Sequence, residues 1–323
     1  MSRLAATDSP GSAAVTPAST TVAVLGPGGV GGFLAAALDR GGMRVTVLAR
    51  ESTAAWIERD GLAVDSVRLG AFRARPQAVC VLEETVDVLM VATKASGLEA
   101  ALARVQAQPR LVVPLLNGLD HLAVLRARFG PAAVAASIRI ESDRPRPGVI
   151  VQTSAFLRID LASDDPRRRP MLAALAEQLE AARVPARVLD SEAQVIWSKL
   201  VRLNALACTT SAADLLLGPI LADPGWRRLL YGAIDEGAAV ARAEGAEVDP
   251  LRTRRELDEA HPTLGSSMAR DLAASRPAEL DAIAGAVLRA ARGHGLACPC
   301  IERLVGLIVT RRGVASPSVP LAG

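Results

Sequence analysis

The strongest constraint on the fold lies in residues 21–50, TVAVLGPGGVGGFLAAALDRGGMRVTVLAR. Its first five residues are an apolar, β-branched run, as a buried parallel strand requires. Gly26-Pro27-Gly28-Gly29-Val30-Gly31 follows, a G-x-G-x-x-G. An Ala-rich helix comes next and closes at Gly41-Gly42, and residues 44–49 read as a second strand. Strand, glycine turn, helix, strand is the βαβ unit that binds dinucleotides. Gly26 permits the tight turn, Gly28 lets the backbone approach a pyrophosphate, and Gly31 lets the helix lie against the strand. Gly29 and Val30 open the helix, where N–H groups and the dipole favour an anion.

The residue closing the second strand selects the cofactor. An NAD site usually has an acid there for the ribose 2′-hydroxyl. This chain has Arg50, followed by Glu51. A guanidinium suits a 2′-phosphate, so NADP is expected; the other reading makes Arg50 a solvated loop residue and gives the ribose to Glu51.

The rest of the first half continues the pattern. Residues 87–92 form a buried strand ending in Thr93-Lys94, and residues 110–116 form another ending in Asn117-Gly118. Both ends fall on the carboxyl edge, where α/β folds bind ligands. Residues 149–161 read as two more strands of the sheet's far half. Strand signals then stop near residue 190, and helical periodicity runs almost to Arg312. The expected fold is an α/β Rossmann-type dinucleotide-binding domain over 21–189, followed by an all-α domain over 190–314. Residues 1–20, rich in Ala, Ser, Thr and Pro, read as a flexible extension, and 315–323 as a flexible tail. Ser191 and Gln194 have the spacing of a capping box at the first helix after the boundary.

Composition excludes several classes. No apolar run reaches the ~20 residues of a membrane span. Basic residues are interleaved with acids, and aromatics are only 2%, so no nucleic-acid-binding strip is present. Cys80, Cys208, Cys298 and Cys300 are scattered and read as buried thiols rather than disulfides or a metal site. A cytoplasmic protein is expected, working on a small molecule, with a homodimer left open.

A bound NADPH implies hydride transfer to a carbonyl, whose oxygen then needs a proton donor. His121, His261 and His294 have no catalytic setting, and the lone Tyr231 lacks a Tyr-x-x-x-Lys pattern. Lysine is the better candidate because the chain has only Lys94 and Lys199. An Arg-rich chain keeping two lysines points to a need for a titratable ammonium. Lys199 lies in Trp197-Ser198-Lys199-Leu200, just past the domain boundary.

Together these motifs resemble the ketopantoate reductases (2-dehydropantoate 2-reductases) from about Thr21 to Val314. The shared parts are the glycine turn, Arg50, Thr93-Lys94, Asn117-Gly118, Trp197-x-Lys199-Leu200, Ser266-Ser267-Met268 with Asp271, Glu279-x-Asp281, and Gly295 before Pro299. The resemblance implies NADPH-dependent reduction of a branched 2-oxo acid to its 2-hydroxy acid. Lys199 falls on the family's proton donor and Asn117 on an asparagine shared by cofactor and substrate. Lys94 and Glu279 fall on cofactor-side residues, and Ser267 on a substrate-contacting serine.

The chain departs from the family pattern at three asparagines, where it has Leu203, Ala207 and Leu217. Asn204 is turned about 140° from Lys199 on ideal helix geometry and does not replace them. Arg202, three residues after Lys199, keeps to its side and offers a guanidinium to a carboxylate. The substrate pocket is therefore expected to be rewritten as apolar. That leaves open a more apolar 2-oxo acid or ketone as substrate, or an NADP-binding sensor without turnover.

Overall fold

The computed structural model describes residues 20–318. Five parallel strands form the main sheet in the order Gln77–Val79, Arg44–Leu48, Thr21–Leu25, Val88–Val91, Leu111–Pro114. The chain reverses its direction of winding between Thr21–Leu25 and Val88–Val91. This leaves a crevice at the carboxyl ends of those two strands, flanked by Gly26 and Thr93. The first strand is buried on both faces. Val22 and Val24 join one apolar cluster, while Ala23 and Leu25 join another on the opposite side.

The helix Gly29–Arg40 buries every residue from Gly31 to Leu38. Its Ala and Gly content has a steric cause, because a second sheet packs on its far side. That sheet has the order Phe72–Ala74, Leu62–Ser66, Val149–Gln152, Ser142–Arg146. A Cβ on Gly29 would stand 2.2 Å from the Ser142 carbonyl oxygen, and one on Gly32 would stand 2.5 Å from Ile150 Cδ1. A third sheet joins Ala186–Val188, Arg158–Ala162 and Ala135–Arg139. Two strands do lie within 149–162, but their expected place in the far half of the main sheet needs correction, because Val149–Gln152 belongs to the second sheet and Arg158–Ala162 to the third. Local alternation specifies a buried face but not a partner.

After Ala186–Val188 every remaining described element is helical. The long helix Glu192–Ala213 runs through the centre of a third apolar cluster. Ser191 caps it by accepting from the Gln194 N–H at 3.3 Å. The reciprocal half of the box is absent, since the Gln194 side chain instead donates to Ser198 Oγ and the Glu247 carbonyl. Among the described residues no helix is long and apolar enough to cross a membrane.

The expected N-terminal extension lies outside the described residues except for Thr20, as does the tail past Ser318. The loose tail expected from residue 315 needs correction over its first part. Pro317 is buried, and Ser318 is fixed between Asp281 and Arg289 by bonds of 2.8 and 2.7 Å.

Candidate active site

The glycine turn has the shape a pyrophosphate requires. Gly26 has φ +92°, and a side chain there would press on Thr93 and Ala92. A Cβ on Gly31 would fall 2.2 Å from the Gly26 carbonyl oxygen. A Cβ on Gly28 would meet nothing within 4 Å, so its space is open on the crevice side. No side chain caps the helix that starts at Gly29-Val30, which leaves its first N–H groups for an external acceptor. At the end of the second strand Arg50 is exposed, and Glu51 beside it pairs with Arg104 at 3.3 Å. Arg104 also donates to the Ala49 and Cys80 carbonyls, which ties it to that strand end. The corner thus offers two guanidiniums, while its one acid is already engaged. These residues fit a dinucleotide with a 2′-phosphate, and sequence reasoning missed Arg104.

Residues far apart in sequence meet at the other side of the crevice. Lys199 Nζ donates to Asn117 Oδ1 at 2.8 Å. Asn117 Nδ2 donates to Glu279 Oε2 at 3.0 Å, and Glu279 Oε1 accepts the Ala95 N–H at 3.3 Å. The turn after Asn117 is pressed onto the Glu279 segment. Gly118 has φ +91°, and a Cβ there would strike the Ala282 carbonyl oxygen at 2.0 Å. Asp281–Gly285 is a π-helical turn, an irregularity frequent at functional sites. Glu279 lies just before this turn and outside any helix.

Lys94 does not join this chain. Its ammonium meets Asp271 Oδ2 at 2.7 Å and the Pro277 carbonyl at 3.1 Å, and Asp271 also holds Arg276. Lys94 thus ties the α/β part to the helical part beside the crevice. Ser266 is buried, caps the helix Ser267–Ala273 and shares a 2.8 Å bond with Thr210. Its exposed neighbour Ser267 faces the cavity next to Lys199.

That cavity has a volume of about 770 Å³, and Asn117, Arg139, Lys199, Arg202, Leu203 and Ser267 are among its walls. It is not the apolar pocket expected from the sequence. Of the three positions where asparagine was looked for, only Leu203 reaches it; Ala207 and Leu217 are buried in the helical core. Bases outnumber acids along the lining. Sequence reasoning missed Arg139. Its signal was a lone charge at the end of the strand Ala135–Arg139, whose other residues are buried.

Burial sets the electrostatics. It pulls the Lys199 ammonium down to about 8, with Arg139 pushing the same way and Glu279 opposing. At neutral pH such a lysine is charged yet gives up its proton far more readily than a solvated one. Burial also lowers Arg139 and Arg202. His121 is buried and pushed down to about 4, first by burial and then by Lys199, so it is neutral at physiological pH. Among the described residues no cluster of His, Cys, Asp or Glu could hold a metal ion.

Comparison with known proteins agrees with this geometry. Residues 22–163 match the family described as ketopantoate reductase PanE/ApbA, and residues 193–311 match its C-terminal region. An uncharacterized oxidoreductase, YkpB, of Bacillus subtilis (strain 168) is 30% identical over 287 residues, covering 86% of this chain and 94% of its own. A 2-dehydropantoate 2-reductase of Mycobacterium tuberculosis (strain ATCC 25618 / H37Rv) is 32% identical over 298 residues, covering 90% and 97%. The solved 2-dehydropantoate 2-reductase of Geobacter metallireducens GS-15 superposes with a TM-score of 0.83 at 26% identity, covering 90% of this chain and 99% of that one. With both of its parts matched and its crevice shaped for a dinucleotide, the chain belongs to the ketopantoate reductase family of NADP-dependent oxidoreductases acting on CH–OH groups.

Proposed function

We propose that this protein reduces ketopantoate, or a closely related 2-oxo acid, to the 2-hydroxy acid with NADPH, and that Lys199 is the proton donor. The observation that carries this reading is the hydrogen-bonded series Lys199–Asn117–Glu279 beside the open crevice. The cofactor domain over 21–189 holds NADPH through the Gly26–Gly31 turn, Arg50, Lys94, Asn117 and Glu279. When bound, the dihydronicotinamide supplies a hydride to the carbonyl carbon.

The protein's own part is positioning and proton delivery. Asn117 fixes the Lys199 ammonium by accepting from it, and Glu279 fixes the Asn117 amide by accepting in turn. This aims a partly buried, acidic ammonium at the carbonyl oxygen. As the C=O bond becomes CH–OH, Lys199 gives its proton to that oxygen and is reprotonated from solvent after product leaves. Ser267 and Arg202, both on the cavity wall, contact the substrate.

Lys199→Ala is expected to lower kcat/KM for a 2-oxo acid by about a hundred- to ten-thousandfold, with NADPH affinity changed only a few fold. NADPH oxidation across a panel of 2-oxo acids, read beside a cofactor titration, checks this. Full activity in the variant would remove Lys199 from the chemistry. Tight NADPH binding with no oxidation by any acid would favour a sensor instead. Leu203 and Leu206 on the cavity wall are the reason to include apolar acids in the panel.

A further inference from the structure

The cavity beside Lys199 holds more cationic charge than one small carboxylate needs. Arg158 and Arg187 share one carboxylate, each reaching Asp160 Oδ1 at 2.9 Å. Arg252 is engaged by Glu256 at 3.2 Å. Arg139 and Arg202 are different, because both are partly buried and neither has a carboxylate within 4.0 Å among the described residues. Arg139 donates Nη2 to the Ser198 carbonyl at 2.9 Å, while its Nε, shielded from solvent, has no partner.

The two guanidiniums come from different elements yet act on each other, and Glu256 acts on both. Arg139 ends a strand directly opposite Arg158 in the register, so like charges face each other on the cavity wall. Asp160, which holds Arg158, also acts on Arg139, so the pair shares the compensation of one carboxylate. Arg139 is also anchored on the residue preceding Lys199, and its charge acts on the Lys199 ammonium. Arg202 sits one helical turn beyond Lys199, where Glu256 and Glu141 act on it. Both line the cavity, and of the two only Arg139 is among the charges that act on Lys199. A volume of about 770 Å³ leaves room for a chain joining them.

We propose that the cavity is built for a 2-oxo diacid, with the carboxylate beside the reacting carbonyl on Arg139 and the distal carboxylate on Arg202. This rests on the reductase reading given above and sets a diacid in place of ketopantoate, which has one carboxylate, as the preferred substrate. A guanidinium binds a carboxylate through paired N–H donors, and a site built around such a group rejects an analogue lacking the charge.

The test compares 2-oxoglutarate and 2-oxoadipate with the length-matched monoacids 2-oxovalerate and 2-oxohexanoate, using NADPH oxidation by the full-length enzyme. The diacids are expected to have at least a tenfold higher kcat/KM. Arg202→Met should collapse that ratio toward one, whereas Arg139→Met should raise KM for both classes and Arg139→Lys should recover part of the loss. Thermal shifts of the enzyme with NADP and either 2-hydroxyglutarate or 2-hydroxyvalerate report binding without turnover and show that each variant is folded. A wild-type ratio near one, or a ratio that Arg202→Met leaves unchanged, overturns the diacid assignment while the reductase reading stands. Ketopantoate is run beside them: no oxidation with any of the five acids overturns both readings, and oxidation of ketopantoate alone overturns the diacid assignment only.

Discussion

On the side of the cleft proposed for the cofactor, one continuous stretch carries the turn, the helix start and the strand end that a dinucleotide would meet. On the substrate side, Lys199 reaches Asn117 across 82 positions, and Asn117 reaches Glu279 across 162. The first surface is made of backbone, so its requirement is steric and is expressed as glycine. The second is made of side chains that only tertiary packing brings together. A substitution in the first region should therefore act through space and shape. One in the second should act through charge and protonation.

Gly28→Val gives the largest effect that would break this contrast. Its added side chain projects into open space, so the melting temperature should hold while NADPH affinity falls on the order of a hundredfold through lost backbone–phosphate bonds. Isothermal titration beside a thermal melt measures both. Unchanged affinity would move the pyrophosphate elsewhere.

A smaller effect is expected at the strand end. Arg50→Glu should shift preference from NADPH toward NADH by about ten- to a hundredfold, the worth of one or two charged hydrogen bonds. Steady-state kinetics with both cofactors decide this. An unaltered ratio would leave the 2′-phosphate to Arg104 alone.

The smallest effect belongs to the frame that carries Lys199. Ser191→Ala removes the one side-chain cap of its helix and should cost about 1 kcal/mol of stability by chemical denaturation. If kcat fell as well, the Lys199 helix would be fraying into the site, and frame and chemistry would not be separable.

The same contrast explains what the sequence revealed. The crevice was legible because strand, turn and helix are local and their periodicities differ. The helical second half was legible because strand signals stop after the Ala186–Val188 region. The second sheet's hold on the first helix was not, since nothing in residues 29–40 names Ser142 or Ile150 as the neighbours that exclude a Cβ. The residues around Lys199 came from family resemblance and from the scarcity of lysine, not from periodicity. The expectation of an apolar pocket failed for a definite reason. Ala207 and Leu217 turn into the helical core, and the cavity's charge comes from strands such as Ala135–Arg139 that a reading of the Lys199 helix ignores.

The pH dependence of kcat/KM for 2-oxo acid reduction tests the central claim most directly. With Lys199 as the proposed donor the reactive form carries its proton, so activity should be full at neutral pH and should fall as pH rises through about 8, the value to which burial draws this ammonium. A rate that stays level to pH 10, in enzyme that remains folded and saturated with NADPH, would contradict it.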